Sequence, residues 1–358
     1  NEFYTWCIDV TSNHGVNMKA NEVMETLKTL FPIKRTVFIE GAPGGGKTTI
    51  VRDVAKQLGV EYVEVHMPTT LVEDLGIPMP QPDGTVKHIL PAWIPVVGGE
   101  YHGKKVIVCL DDFGQASQDI QKTVANMVQG RTHHGYDLID DVMFVMTGNR
   151  QSDRAGVNRR LSHLSNRLTV MTLDTDLANW LEWAQGNGVE GLVQAFMQFR
   201  PDLLHDFNPQ KEQNPTPRSW VEGVSDILPL FDNDKDSIPL QECIMGAVGE
   251  GAGSEFVGFL RTYADLPKPE EILKSPNTAM IPEKPDVMCA LIASICTVAD
   301  KHAVNFIKYL TRLINEDRAE YSILGLKMAQ SKHTTEPFIA IGQEYTDLLV
   351  NVHKYVQS

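Results

Sequence analysis

Residues 41–48 read Gly-Ala-Pro-Gly-Gly-Gly-Lys-Thr, a complete G-x-x-x-x-G-K-[ST] phosphate loop, and its neighbours restrict what it can join. The preceding run Thr36, Val37, Phe38, Ile39 is apolar and β-branched enough for a buried parallel strand. The following run from Lys47 to Leu58 carries apolar residues at Ile50, Val51, Val54, Ala55 and Leu58, one face of a helix. Strand, glycine loop and helix in that order predict an α/β fold: a phosphate-loop parallel sheet with helices on both faces. The glycines let the backbone turn its N–H groups inward, and the positive end of the helix dipole adds to the attraction for phosphate. The expected ligand is a nucleoside triphosphate, ATP with Mg2+, cradled by Gly41, Pro43, Gly44, Gly45, Gly46, Lys47, Thr48 and Thr49. Lys47 would reach the outer phosphates and the Thr48 hydroxyl would ligate magnesium.

Two further apolar runs end in polar residues. Val106 to Leu110 leads into Asp111 and Asp112, an arrangement that sets a carboxylate beside the metal. Asp111 is the expected metal-holding acid, and Asp112 is the group expected to orient or deprotonate the attacking water. Most such ATPases have Glu at that second place, and Asp is one methylene shorter. Val142 to Met146 runs into Thr147-Gly148-Asn149-Arg150, and Asn149 fits a γ-phosphate sensor if this strand lies between the other two. Residues 158–168, NRRLSHLSNRL, read as a short amphipathic helix with Leu161, Leu164 and Leu168 inward. Arg167 is the first choice for a finger onto a neighbouring subunit's nucleotide, with Arg160 and Arg159 behind it. Each also has a purely structural reading: an acidic cap for the Asp pair, a turn residue for Asn149, a solvated basic face for the arginines.

These residues together resemble the MoxR type of AAA+ ATPase, the group that includes the CbbQ and NorQ activators and is related to midasin and dynein modules. The likeness spans about residues 30–225. Residues 69–94 resemble the group's second helix interrupted by a β-hairpin insert, with Pro82-Asp83-Gly84-Thr85 as the hairpin tip. Residues 111–131 resemble its D-E-x-N-R-A segment and following helix, with Val124, Met127 and Val128 inward. Asp112 stands where the group has Glu, and Gly114 and Gln115 where it has Asn and Arg. Pro217 and Arg218 match a Pro-Arg pair at the start of a lid helix, which makes Arg218 a second sensor by resemblance; a solvated helix-start arginine is its bland alternative. The resemblance implies a homo-oligomer, a hexameric or similar ring, with nucleotide at subunit interfaces and the hairpin facing the pore. It also implies a protein client, reached through a partner carrying a von Willebrand factor A domain.

The expected division is an N-terminal helix and nucleotide-binding core over 1–173, a helical lid over 174–264, and a proline-rich linker with a helical extension over 265–358. The N-terminal helix is expected from Lys19 to Leu30 with Val23, Leu27 and Leu30 inward. Helices are expected over 176–184, 189–199, 285–298 and 303–328, and the prolines at 267, 269, 276, 282 and 285 mark an extended connection between the lid and the last two.

Composition excludes more than it assigns. With 42% apolar and 22% charged residues over 358 positions, the chain can bury a sizeable core. A formal net charge of −14 opposes the broad cationic surface that nucleic acid binding needs, so a DNA-dependent motor is the least favoured reading. The five cysteines, Cys7, Cys109, Cys243, Cys289 and Cys296, include no C-x-x-C pair, which suggests neither zinc nor a disulfide framework. His133 and His134, being adjacent, cannot both face one site on a regular element. No apolar run approaches the roughly 18 residues of a membrane span, and the start lacks the form of a signal peptide; cytoplasmic residence without membrane insertion is the expectation.

Two function classes follow. One is a ring-forming ATPase that remodels a protein partner. The other is a nucleotide-gated binding module with slow or incidental hydrolysis, favoured by Asp112 and by the absent Arg at position 115.

Overall fold

The structure, a computed structural model, describes residues 17–150, 168–231 and 234–357. The chain divides into two compact units, residues 1–175 and 176–358.

The first unit is built on a six-stranded sheet. Its strands are β1 (Asn17–Met18), β2 (Val37–Gly41), β3 (Glu61–His66), β6 (Val106–Asp111), β9 (Val142–Gly148) and β10 (Thr169–Leu173), in the order β1-β10-β2-β9-β6-β3. Every neighbouring pair is parallel. The central strands are almost continuously apolar and buried, as strands covered on both faces must be. Alternation then sorts their side chains. Val37, Ile39, Ile107, Cys109, Met143 and Val145 pack with α1 (Ala20–Leu30) and α2 (Lys47–Leu58). Phe38, Val106, Val108, Leu110, Phe144 and Met146 pack on the opposite face with α3 (Gln118–Gly130). The α/β sheet with helices on both faces is therefore as expected, and Val124, Met127 and Val128 belong to the buried stripe of α3.

A two-stranded antiparallel hairpin, β4 (Ile77–Pro80) with β5 (Val86–Ile89), is inserted in the chain between β3 and β6. Its tip is the expected turn, in which the Asp83 side chain accepts from the Thr85 amide at 2.9 Å and Gly84 takes φ 79°. A second small hairpin, β7 (Thr132–His133) and β8 (Tyr136–Asp137), follows α3.

The second unit is helical around one hydrophobic cluster that runs from Trp180 to Leu348. Trp220 is wholly buried within it, and satisfies its indole N–H on the Leu203 carbonyl at 2.7 Å. The expected single helix over 303–328 is two helices, Ala303–Asn315 and Ala319–Lys332. Asp317 takes the left-handed conformation, φ 57°, and the Arg318 amide closes back on the Leu313 carbonyl at 2.9 Å. Both helices bury apolar stripes in the same core, so the periodicity resumes across the break and no Gly or Pro marks it. The proline-rich stretch packs against the helices that follow it. It contains a helix, Pro269–Lys274, with Ile272 and Leu273 buried. Its carbonyls at Met280, Ala279 and Pro282 accept from Tyr309, Arg312 and Arg318.

Candidate functional site

Because all six strands are parallel, the loop after β2 and the ends of β9, β6 and β3 emerge at one edge of the sheet. The strand that leads to Asn149 does lie between the phosphate-loop strand and the Asp111 strand, and the register pairs Ile39 with Thr147 and Leu110 with Met146.

The loop keeps the backbone its glycines permit: Gly44 has φ 71°, and Gly46, which caps α2, has φ 84°. Lys47 is buried and folds back along the loop. Its Nζ donates to the Gly41 carbonyl at 3.1 Å, the Ala42 carbonyl at 2.9 Å and Asn149 Oδ1 at 3.0 Å. These three acceptors are neutral, and the ammonium stands at the N-terminus of a helix, a setting suited to polyanions.

The Thr48 hydroxyl donates to Asp111 Oδ1 in a short hydrogen bond. Thr147 Oγ1 donates to the same oxygen at 2.7 Å and accepts the Asp112 amide at 3.0 Å. His66 Nδ1 lies 3.4 Å from the other oxygen, Asp111 Oδ2. Burial raises the Asp111 pKa, but the hydrogen bonds from Thr48, Thr147 and His66 outweigh it and hold the carboxyl below its ordinary value. An ionised carboxylate beside a threonine hydroxyl is the donor set a hard divalent cation takes. Asp112 adopts the left-handed conformation, φ 51°, which breaks the line of the strand at that residue. Asp111, Asp112 and His66 form a group of metal-capable side chains whose ligand atoms all lie within 4.8 Å of one another.

The structure thus brings together Lys47, Thr48, Asp111, Asp112 and Asn149. It adds Thr147 and His66, neither of which the motifs single out. Both stand at strand ends, and aligning those ends by register would have found them: His66 is the ladder partner of Asp111. Arg159, Arg160 and Arg167 lie outside the described residues. Arg218 belongs to the second unit, exposed in the first turn of a short helix, Pro217–Trp220, whose capping box joins Thr216 and Ser219. His133 and His134 do not point apart: His134 lies in the turn between β7 and β8 at φ 47°, and the two rings meet edge-on with centroids 4.2 Å apart. His133 Nε2 donates to the Leu75 carbonyl at 2.6 Å, whereas His134 stacks on His88 with centroids 3.8 Å apart. Burial lowers the pKa of both.

Residues 36–168 match the AAA domain of the dynein-related subfamily. The AAA match begins one residue before β2 and ends one residue before β10, so it holds the phosphate loop, Asp111, Asp112 and Asn149, and leaves the second unit outside. No curated protein matches the chain. Among solved structures, NtrX from Brucella abortus in complex with ADP is similar at 14% identity and TM-score 0.38, over 96% of this chain and 69% of that one. The same protein in complex with ATP gives 14% and 0.39, over 95% and 68%. A mutant of RuvB from Thermotoga maritima gives 14% and 0.37, over 81% and 83%. At that identity and score the likeness is no guide to activity. Among the described residues, no helix is long and apolar enough to cross a membrane.

Proposed function

We propose that this chain is a MoxR-type ATPase that assembles into a ring, hexameric by resemblance, and hydrolyses ATP between adjacent subunits to remodel or activate a protein partner. The observation that carries the reading is the convergence of Lys47, Thr48, Asp111 and Asn149 at one sheet edge, inside an AAA domain match. Lys47 and the loop amides would hold the triphosphate. Thr48 and Asp111 would hold Mg2+, which when bound offsets charge on the β- and γ-phosphates. Asn149, already on Lys47, is suited to report the γ-phosphate. Asp112, pinned through its amide to Thr147, would orient the attacking water. Arg167, with Arg160 or Arg159 as substitutes, would complete the site from a neighbouring subunit, and Arg218 would serve as second sensor from a lid over 174–264. The hairpin insert and the acidic composition fit a protein client, with a von Willebrand factor A domain partner as the expected go-between; nucleic acid and membrane have no part in this reading.

The test is steady-state ATP turnover per subunit against protein concentration, across the range where light scattering reports assembly. Turnover that rises with assembly supports a site completed between subunits. Flat, very slow turnover with intact ATP binding supports the alternative, a nucleotide-gated protein-binding module. The short Asp112 side chain and Gln115, in the place of the group's Arg, favour that alternative.

A further inference from the structure

His66 ends β3 where Asp111 ends β6, and the two are ladder partners, so their side chains leave the same edge of the sheet. His66 Nδ1 and Asp111 Oδ2 share a hydrogen bond at 3.4 Å, longer than the roughly 2.7–2.9 Å usual for a charge-assisted one. It is also a spacing that two ligands of one ion would take: groups each about 2.1 Å from a metal, at octahedral or tetrahedral angles, stand about 3.0–3.4 Å apart. Asp111 Oδ1 is taken by the hydroxyls of Thr48 and Thr147, which leaves Oδ2 as the oxygen facing His66. Asp112 adds a second carboxylate within reach of both. The His66 side chain is 53% exposed, so core packing does not call for an imidazole there.

We propose that His66 is a ligand-capable member of the nucleotide's divalent-cation site and tilts that site from Mg2+ toward Mn2+ or Co2+. The inference rests on the reading of the phosphate loop and Asp111 as a metal–nucleotide site. Magnesium keeps an oxygen shell and sheds water reluctantly, so an all-oxygen site with bound phosphates suits it. A nitrogen ligand beside two carboxylates suits the borderline first-row ions, which accept imidazole and carboxylate together. Thr48 and the phosphates supply oxygen to either ion, so the discrimination lies with His66.

The experiment uses the full chain with a non-hydrolysable ATP analogue. Mn2+ binding is followed by electron paramagnetic resonance with Mg2+ as competitor, and Co2+ binding by its visible absorption bands. In His66→Ala the Mn2+ to Mg2+ affinity ratio is expected to fall about 10-fold, with the Co2+ bands shifted toward an all-oxygen pattern. His66→Asn, which keeps polarity and approximate size but not the imidazole, is expected to follow the Ala variant. An unchanged ratio and unchanged Co2+ bands in both variants would overturn the role of His66. Failure of the analogue to bind with any of the three cations would instead overturn the nucleotide-site reading, and this inference with it.

Discussion

Thr147 donates its hydroxyl to Asp111 Oδ1 at 2.7 Å while accepting the Asp112 amide at 3.0 Å, so one wholly buried side chain on β9 holds the end of β6 in place. Its replacement by the isosteric valine removes both bonds and leaves a partly buried carboxylate and an amide each short of a partner. Thr147→Val is expected to destabilise the first unit by about 1–3 kcal/mol in urea unfolding, with Thr147→Ser recovering most of the loss. Equal stability of the valine variant and the parent would refute the bridging role.

Lys47 is the charge at the base of the loop. Lys47→Ala should weaken ATP binding by about 10- to 100-fold, the loss of charge-assisted hydrogen bonds to phosphate. Calorimetric titration with ATP checks it. Unaltered affinity would sink the phosphate-loop assignment.

Asp112 stands at φ 51°, a conformation that Asn tolerates as well as Asp. Asp112→Asn is therefore expected to leave stability within about 0.5 kcal/mol of the parent. Turnover should fall about 100-fold if Asp112 serves as base or water-orienting group. Turnover that survives the change would favour the nucleotide-gated module.

Two glycines of one helix, Glu250–Ala264, should respond oppositely to alanine. A Cβ on Gly253 would stand 2.8 Å from Met245 Cα, whereas one on Gly258 meets nothing within 4 Å. Gly253→Ala is expected to cost about 1–3 kcal/mol through overpacking. Gly258→Ala should gain up to about 1 kcal/mol from helix propensity. Thermal unfolding of the two variants decides, and a shared sign would contradict the close approach of the helix to Met245.

Cys289 is buried, and burial, aided by the charges of Asp286 and Glu320, pushes its thiol up to about 12. In the unfolded chain a thiol titrates near about 8.5, so the folded state binds the extra proton between those values. Its contribution to stability is whole below about pH 8.5 and declines as pH rises toward 12, by at most about 1.4 kcal/mol per pH unit. In a Cys7→Ser background at about pH 8.5, iodoacetamide should label exposed Cys243 and spare Cys109, Cys289 and Cys296, all buried. Rapid native labelling of Cys289 would refute this.

The motif between Gly41 and Thr48 was readable because each position answers a local demand: positive φ at Gly44 and Gly46, a helix start at Lys47, an apolar strand before them. The strands leading to Asp111 and Asn149 were legible for the same reason, since buried parallel strands are unbroken apolar runs. The break at residues 316–318 was not, because the next helix faces the same core and resumes the same stripe. The roles at Arg159, Arg160 and Arg167 stay with the sequence reading, outside the described residues.

What the sequence by itself determined is most of the local elements and the chemistry at their ends, because backbone conformation and periodicity act over a few neighbouring residues. Only the tertiary structure decided that His66 stands beside Asp111 and that Thr147 bridges Asp111 to Asp112. His66 and Thr147 lie 45 and 36 residues from Asp111 along the chain, and strand order and register alone bring them to it.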